Sequence, residues 1–148
     1  MKPVILIDSR EQLPFRFSDN VETQVVTLSS GDYSVIGCTD TAAIERKSLA
    51  DFVASITFER ERFWECCDRL SRLDFACIVV ECALHDVLAE RYRSRTRPQS
   101  VVGSALAIHV DFGVPVIWAG DRATAANVTE RLLTRVWRKR IAEAETAA

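Results

Sequence analysis

The sequence predicts an α/β domain in which a central mixed β-sheet is flanked by helices. Three or four strand-like segments fall within the first 47 residues, and helical and strand-like segments alternate after them. An early block of strands followed by alternating elements indicates a sheet with both antiparallel and parallel pairs, against which helices pack. Because the chain has 148 residues, 48% of them hydrophobic, it is long enough for one domain with a substantial core.

The N-terminal part is expected to contain three or four strands. The apolar run at 4–8 is typical of a buried strand, and residues 12–20 form a polar loop that contains proline. Segment 22–28 has the pattern of an amphipathic strand and is expected to form a hairpin with segment 32–37. A further strand is expected at 41–47, after a short turn.

The remainder of the chain is expected to alternate helices with two buried strands. Apolar residues recur at helical spacing before and after a break near Thr57, and two short apolar runs have the composition of buried strands. We expect helices over 49–56, 63–70, 85–92, 101–112 and 124–144, and strands over 75–82 and 114–119. The predicted domain spans residues 1–148, with a disordered tail from about residue 143.

The composition argues against several functional classes. No apolar run is long enough to cross a membrane, and no glycine-rich nucleotide-binding motif is present. The five cysteines include no Cys-x-x-Cys pair, which disfavours a disulfide framework or zinc site and favours a reducing cytoplasm, with nucleoid association if the protein is bacterial. The net charge of −2 disfavours a protein that coats nucleic acid non-specifically.

The most informative residues are two carboxylates and a lysine. Side chains alternate along a strand, so Glu45 and Lys47 are expected to share one face, with Arg46 on the other. A turn before the preceding strand delivers a further carboxylate, Asp32. Carboxylates that hold Mg²⁺, together with a lysine that stabilises developing charge, are the groups that metal-assisted phosphodiester hydrolysis requires. A Glu-x-Lys pair alone is usually a solvated strand end, but two further acids, Asp8 and Glu11, follow the first buried strand.

Three sequence blocks in this order carry a family resemblance: Asp8-x-Arg10-Glu11, Gly31-Asp32-Tyr33 and Glu45-Arg46-Lys47-Ser48-x-x-Asp51. Together they resemble the nuclease domain of XPF-type structure-specific endonucleases, which include the archaeal Hef proteins. These enzymes are a branch of the restriction-endonuclease-like superfamily. The resemblance extends over nearly the whole chain and implies a restriction-endonuclease-like fold and a DNA endonuclease that depends on Mg²⁺ or Mn²⁺.

The resemblance also implies roles for individual residues. The catalytic residues would be Asp8, Glu11, Asp32, Glu45, Arg46 and Lys47, with Asp8, Asp32 and Glu45 as metal ligands. Asp51 would lie next to the metal ligands without binding the metal itself, and the backbone carbonyl of Arg46 would be a further metal ligand. DNA contacts are expected from Arg10 and Arg62, and from Arg93 and Arg95 in an arginine-rich loop.

The chain departs from the family pattern in two ways. The family's Gly-Arg pair, followed by Gln, is replaced here by a stretch in which Arg62 stands for the arginine and Cys66 for the glutamine. The tandem helix-hairpin-helix repeats that grip DNA in many relatives are absent from the 148 residues. We therefore expect a homodimer or a partner chain, with contact through segment 101–112 and the last helix, which carries Trp137 and a basic face over 131–140.

Two alternatives to an endonuclease for branched or junction DNA remain open. The chain could be a non-catalytic DNA-binding or dimerisation module of the same fold, or a restriction-like nuclease with a different DNA substrate. Inactive partner subunits of the family typically lose the acids and the lysine, whereas here all of them are present. The sequence does not distinguish branched, junction or plain duplex DNA as the substrate.

Overall fold

The computed structural model describes all 148 residues, which form six strands and five helices. The strands are β1 (Val4–Asp8), β2 (Glu22–Val26), β3 (Tyr33–Val35), β4 (Ala42–Lys47), β5 (Phe75–Val80) and β6 (Val116–Trp118). The helices are α1 (Leu49–Ile56), α2 (Arg60–Ser71), α3 (Leu84–Leu88), α4 (Pro98–Phe112) and α5 (Arg122–Ala147). None of the five helices has the combination of length and hydropathy that crossing a bilayer requires.

The strands form one mixed sheet in the order β2-β1-β3-β4-β5-β6. Strand β3 runs antiparallel to both of its neighbours, while β4, β5 and β6 are mutually parallel. The prediction of a central mixed sheet flanked by helices is therefore confirmed. Parallel strands β4 and β5 end at the same edge of the sheet, which places the residues that follow them close together.

The predicted hairpin between β2 and β3 is wrong. Strand β2 pairs in parallel with β1, and β3 lies on the other side of β1, where it separates β1 from β4. Four of the five residues of β2 are exposed, including Val25, whereas all three residues of β3 are buried. An exposed strand suits the sheet edge, and a buried strand suits an interior position.

Each face of the sheet packs against its own hydrophobic core, and side chains of one strand alternate between the two. Ile78 of β5 contributes to the core beneath α1, α2 and α4, whereas Val79 contributes to the core beneath α5 and the N-terminal loop. In β4, Ala43 belongs to the first core and Ile44 to the second. This alternation determines the face on which each of the following charged residues lies.

Several helix boundaries differ from the predicted ones. Helix α4 begins at Pro98, because proline suits the first helical position, where no amide hydrogen bond is needed. Helix α5 begins after Asp121, whose side chain caps it through the amide of Thr124 at 2.7 Å. It continues to Ala147, so the tail expected to be disordered from about residue 143 is helical instead.

Candidate active site

The two carboxylates and the lysine meet beside the end of β4. Glu45 and Lys47 lie on the same face as Ala43, and the Lys47 ammonium is 3.9 Å from the Glu45 carboxylate. The amide of Arg46 donates a hydrogen bond to Asp32 Oδ2 at 2.8 Å, which fixes the Asp32 carboxylate against β4. The predicted convergence of Asp32, Glu45 and Lys47 is therefore present in the fold.

Gly31 allows the turn to approach β4 this closely. Its φ of 71° lies in the left-handed region, and a Cβ at this position would be 2.9 Å from the Cβ of Ala43. The adjacent amide of Asp32 donates to the Ile44 carbonyl at 2.8 Å. A glycine is thus required for the backbone contact that presents Asp32 to the site.

These groups line a cavity of about 290 Å³ that is walled on the far side by α1 and α2. Four acids and four bases face it: Asp8, Asp32, Glu45 and Glu59, with Arg10, Lys47, Arg62 and Arg69. Such a mixture provides oxygen ligands for a cation and cationic groups for a phosphate within one space. Arg69 of α2 and Glu59, the residue that precedes this helix, were not predicted, because they reach the cavity only when α2 packs across the sheet.

The carboxylate pair is electrostatically strained. Burial raises the pKa of Asp32, and burial together with the neighbouring Asp32 charge raises the pKa of Glu45 to about 8. Two half-buried carboxylates this close together are stabilised when a cation lies between them, and an oxygen donor set suits Mg²⁺ or Mn²⁺. No cluster of three or more His, Cys, Asp or Glu side chains is preformed, so the fit to a divalent cation depends on Asp32 and Glu45.

Cys66 contacts the same carboxylate from α2. Its Sγ lies 3.8 Å from Glu45 Oε2, as a weak donor in the position where the family pattern has glutamine. Burial and the Glu45 charge raise the pKa of this thiol to about 12, which keeps it protonated at neutral pH. Phe63, one turn earlier, lies beneath the Lys47 ammonium with its ring centroid 5.0 Å away.

Asp8 lies in the cavity wall, but hydrogen bonds occupy both of its oxygens. Oδ1 accepts from the Leu28 amide at 2.9 Å, and Oδ2 accepts from Arg10 Nε at 2.9 Å. Burial opposes ionisation of Asp8, yet these donors lower its pKa. Arg10 also donates to the Leu28 carbonyl at 2.7 Å. Asp8 therefore anchors the loop that leads to Asp32, and its predicted role as a metal ligand stays a prediction.

Arg46 points to the opposite face, as its strand parity predicts. Its Nε is 3.0 Å from Glu11 Oε2 and its Nη1 is 2.7 Å from Glu81 Oε1, with all three side chains largely buried. Glu81 also accepts from Arg122 Nη1 at 2.9 Å. Burial opposes the charge of Arg46, but the two carboxylates raise its pKa. Glu11, which was predicted as a catalytic residue, therefore binds Arg46 on the opposite face of β4 and does not line the cavity.

Sequence reasoning missed Glu81 and Arg122. Glu81 directly follows the buried run of β5, a position similar to that of Asp8 at the end of β1, so this signal was available. Arg122 opens α5 and also donates to the Pro14 carbonyl at 3.0 Å. No local pattern marks it, because its partners are 41 and 108 residues away.

The other predicted residues lie in three places. Asp51 is exposed in the first turn of α1 and does not line the cavity, which contradicts its expected position next to the metal ligands. Its amide donates to the hydroxyl of Ser48, the helix cap, at 3.1 Å, so Asp51 serves the start of α1 with its backbone while its side chain faces solvent. Arg62 lines the cavity and is paired with Glu59 at 3.0 Å. Arg93 and Arg95 line a separate groove.

A sequence model of a protein family matches most of this chain. The ERCC4 domain model matches residues 7–132, a range that contains every group of the site described above. The chain belongs to the ERCC4 domain family. The resemblance to XPF-type nuclease domains is thereby confirmed.

Solved structures of the family have the same fold. XPF from Aeropyrum pernix has a TM-score of 0.70 at 25% identity, over 97% of this chain and 69% of that chain. XPF from Aeropyrum pernix in complex with DNA has a TM-score of 0.72 at 27% identity, over 93% of this chain and 66% of that chain. The predicted restriction-endonuclease-like fold is confirmed by these matches.

One curated relative is much longer than this chain. The Methanocaldococcus jannaschii protein named "Putative ATP-dependent RNA helicase MJ1505" is 30% identical over 129 residues. This alignment covers 86% of the chain but only 15% of that protein. The similarity therefore concerns a small part of the relative.

Proposed function

We propose that this ERCC4 domain is a divalent-metal-dependent DNA endonuclease that hydrolyses phosphodiester bonds at branched or junction DNA. One observation carries the proposal: Asp32, Glu45 and Lys47 line one cavity, where burial raises the pKa of both carboxyl groups and the Asp32 charge raises that of Glu45 further. Neither carboxylate belongs to the hydrophobic cores, so the packing of the core does not account for two half-buried acids at this place. Family membership supports the nuclease activity, and the similarity to an XPF structure in complex with DNA supports DNA as the substrate.

Each residue of the site has a role that follows from its position. Asp32 and Glu45 would hold Mg²⁺ or Mn²⁺, with the Arg46 backbone carbonyl as a further oxygen ligand. When bound, the ion supplies Lewis acidity at a phosphate oxygen and lowers the pKa of a bound water. Lys47 adds positive charge beside the carboxylates and stabilises charge on the phosphate. Arg46 keeps β4 in register through Glu11 and Glu81 on the far face.

A substitution of Lys47 tests the proposal. We expect Lys47→Ala to lower the rate of Mn²⁺-dependent cleavage by roughly 10²–10³, as removal of one electrostatic stabiliser does. Mn²⁺ binding, followed by electron paramagnetic resonance, should persist in this variant and be lost in Asp32→Asn. The matched control is Lys2→Ala, whose ammonium donates to the Asp19 carbonyl outside the cavity.

The substrate panel decides between the proposal and its rival. Flap, fork, four-way junction and plain duplex DNA are each incubated with the protein and Mg²⁺ or Mn²⁺. Preferential cleavage of branched forms supports the proposal, whereas equal cleavage of plain duplex indicates a restriction-like nuclease with a different substrate. A protein that binds Mn²⁺ and DNA but cleaves none of them is the non-catalytic module.

We also propose that the domain forms a homodimer through α4 and α5. Leu106 and Val110 are 59% and 81% exposed and lie one turn apart on α4. Trp137 is half-buried on α5, beside a basic face that follows the same helix. Exposed apolar residues grouped on a surface are typical of contact sites between protein chains, and because α4 and α5 cover opposite faces of the sheet, each would supply its own part of the interface.

A further inference from the structure

A second groove lies on the same side of the sheet as the candidate active site. It has a volume of about 750 Å³ and separates α1 from the arginine-rich loop that joins α3 to α4. Its lining contains aromatic, small apolar, hydroxyl and arginine side chains, and no carboxylate: Ala50, Val53, Ala54, Thr57, Phe58, Tyr92, Arg93, Ser94, Arg95 and Thr96. In a chain with net charge −2, the lining of this groove carries positive charge only, from Arg93 and Arg95.

Phe58 is the most unusual residue of this groove. Its side chain is 91% exposed, although phenylalanine is among the residues that are most often buried. The preceding residue, Thr57, donates from its hydroxyl to the Val53 carbonyl at 2.7 Å, so the link between α1 and α2 is held in place. The next residue, Glu59, lines the active-site cavity. Phe58 is therefore presented from an ordered turn at the rim of the cavity.

The arginines of the loop differ in their pairing. Arg91 is paired with Asp86 at 2.6 Å, whereas Arg93 and Arg95 are exposed and make no ion pair. The loop itself is ordered, because the Tyr92 hydroxyl donates to the Thr96 carbonyl at 2.6 Å. Two unpaired guanidinium groups on a held loop are suited to contact an anionic partner.

We propose that this groove binds single-stranded DNA beside the cleavage site, with Phe58 stacked on an unpaired base and Arg93 and Arg95 against the phosphates. An exposed aromatic ring next to unpaired cations is the combination with which proteins bind single strands. The ring stacks only on an unpaired base, because both faces of a base are covered within a duplex. The inference rests on the proposed function and adds to it the part of the substrate that is single-stranded.

The site would also explain selectivity for branched DNA. Phe58 also lines a smaller cavity with Glu59, Arg62 and two further glutamates, Glu61 and Glu65, and Glu59 and Arg62 belong to the active-site cavity as well. A single strand in the groove would therefore meet the active-site cavity at Phe58, with its phosphates held on the arginine side of the groove, away from these glutamates. The duplex arm of a junction would then lie over the carboxylates. The boundary between single and double strand is thus placed near Asp32 and Glu45.

The test measures binding without cleavage. The whole protein is titrated, in EDTA, with single-stranded and duplex oligonucleotides that carry 2-aminopurine, whose fluorescence is quenched by stacking. We expect Phe58→Ala to weaken single-strand binding by about 10–100-fold, to abolish the quenching and to leave duplex binding unchanged. The control Leu88→Ala removes an apolar side chain that is 58% exposed on α3 and should change nothing.

The arginines are tested by salt dependence. Replacing both Arg93 and Arg95 by alanine should reduce the magnitude of the slope of log K against log salt by about 1.4 for a single strand, since each phosphate contact contributes about 0.7. Replacing Arg91, which is already paired with Asp86, should leave the slope unchanged. A double variant with the wild-type slope would refute the phosphate contacts.

Failures of this inference and of the proposed function are distinguishable. If Phe58→Ala binds single strands as tightly as wild type, or weakens duplex binding equally, the groove is not a single-strand site even if cleavage proceeds. If the variant instead lowers self-association, the groove is a protein contact and the inference is wrong. The wild-type protein could also cleave none of the substrates and still quench the fluorescence, while Phe58→Ala does not quench it. In that case the groove is a single-strand site, and the proposed nuclease activity is wrong.

Discussion

Arg46→Met tests whether the ion pairs of Arg46 with Glu11 and Glu81, on the face of β4 opposite the cavity, stabilise the fold. The substitution keeps the apolar stem and removes a guanidinium that pairs with Glu11 at 3.0 Å and Glu81 at 2.7 Å. The three side chains are 14%, 7% and 12% exposed, so the carboxylates left behind have little access to water. Glu81 keeps its contact with Arg122, whereas no other ion pair holds Glu11.

The expected magnitude follows from this burial. Removing one partner of a buried pair costs about 3–5 kcal/mol, because the remaining charge is uncompensated. We expect Arg46→Met to lower the free energy of unfolding by that amount, measured by urea denaturation at pH 7. Glu11→Gln in the same background should restore part of the loss, because it removes the unpaired charge.

A surface pair provides the matched control. Arg72 and Asp68 are 2.6 Å apart, which is closer than either pair of Arg46, but their side chains are 73% and 50% exposed. Arg72→Met should therefore cost only about 0.2–1 kcal/mol. Equal losses for the two variants would show that burial does not decide the energy of these pairs and would refute the reasoning.

Two further predictions concern the carboxylate pair and the oligomeric state. Burial raises the pKa of Glu45 to about 8, so the contribution of Glu45 to the stability of the metal-free fold is full below its unfolded pKa of about 4.3 and is lost as pH rises from there through 8. Thermal denaturation in EDTA between pH 5 and 9 should show this loss of stability, and Glu45→Gln should reduce the loss. Stabilisation by added Mn²⁺ should increase over the same pH range. A stability that rises with pH would contradict the prediction. Sedimentation at micromolar concentration should show a dimer that Val110→Asp converts to a monomer, because the charge would be buried in an interface of more than about 1,000 Å². A wild-type monomer that cleaves DNA efficiently would exclude the dimer.

The sequence by itself determined the part of the site that depends on local geometry. Side chains alternate along a strand, so the order Glu45-Arg46-Lys47 placed the outer two residues on one face and the middle one on the other before any fold was known. The turn at Gly31 and the motif order located Asp32. The succession of strands and helices was also readable, because apolar periodicity reflects burial on one or two faces.

Only the tertiary structure decided which distant elements meet. The sequence contains no signal that β2 pairs with β1 rather than β3, because strand pairing depends on the competition among all strands for interior and edge positions. Cys66 reaches Glu45 across 21 residues, and Arg122 reaches Glu81 across 41. Phe58 and Arg95 line one groove only because α1 packs near the loop before α4. These contacts depend on the packing of helices against a finished sheet, and that packing is a property of the whole chain rather than of any segment.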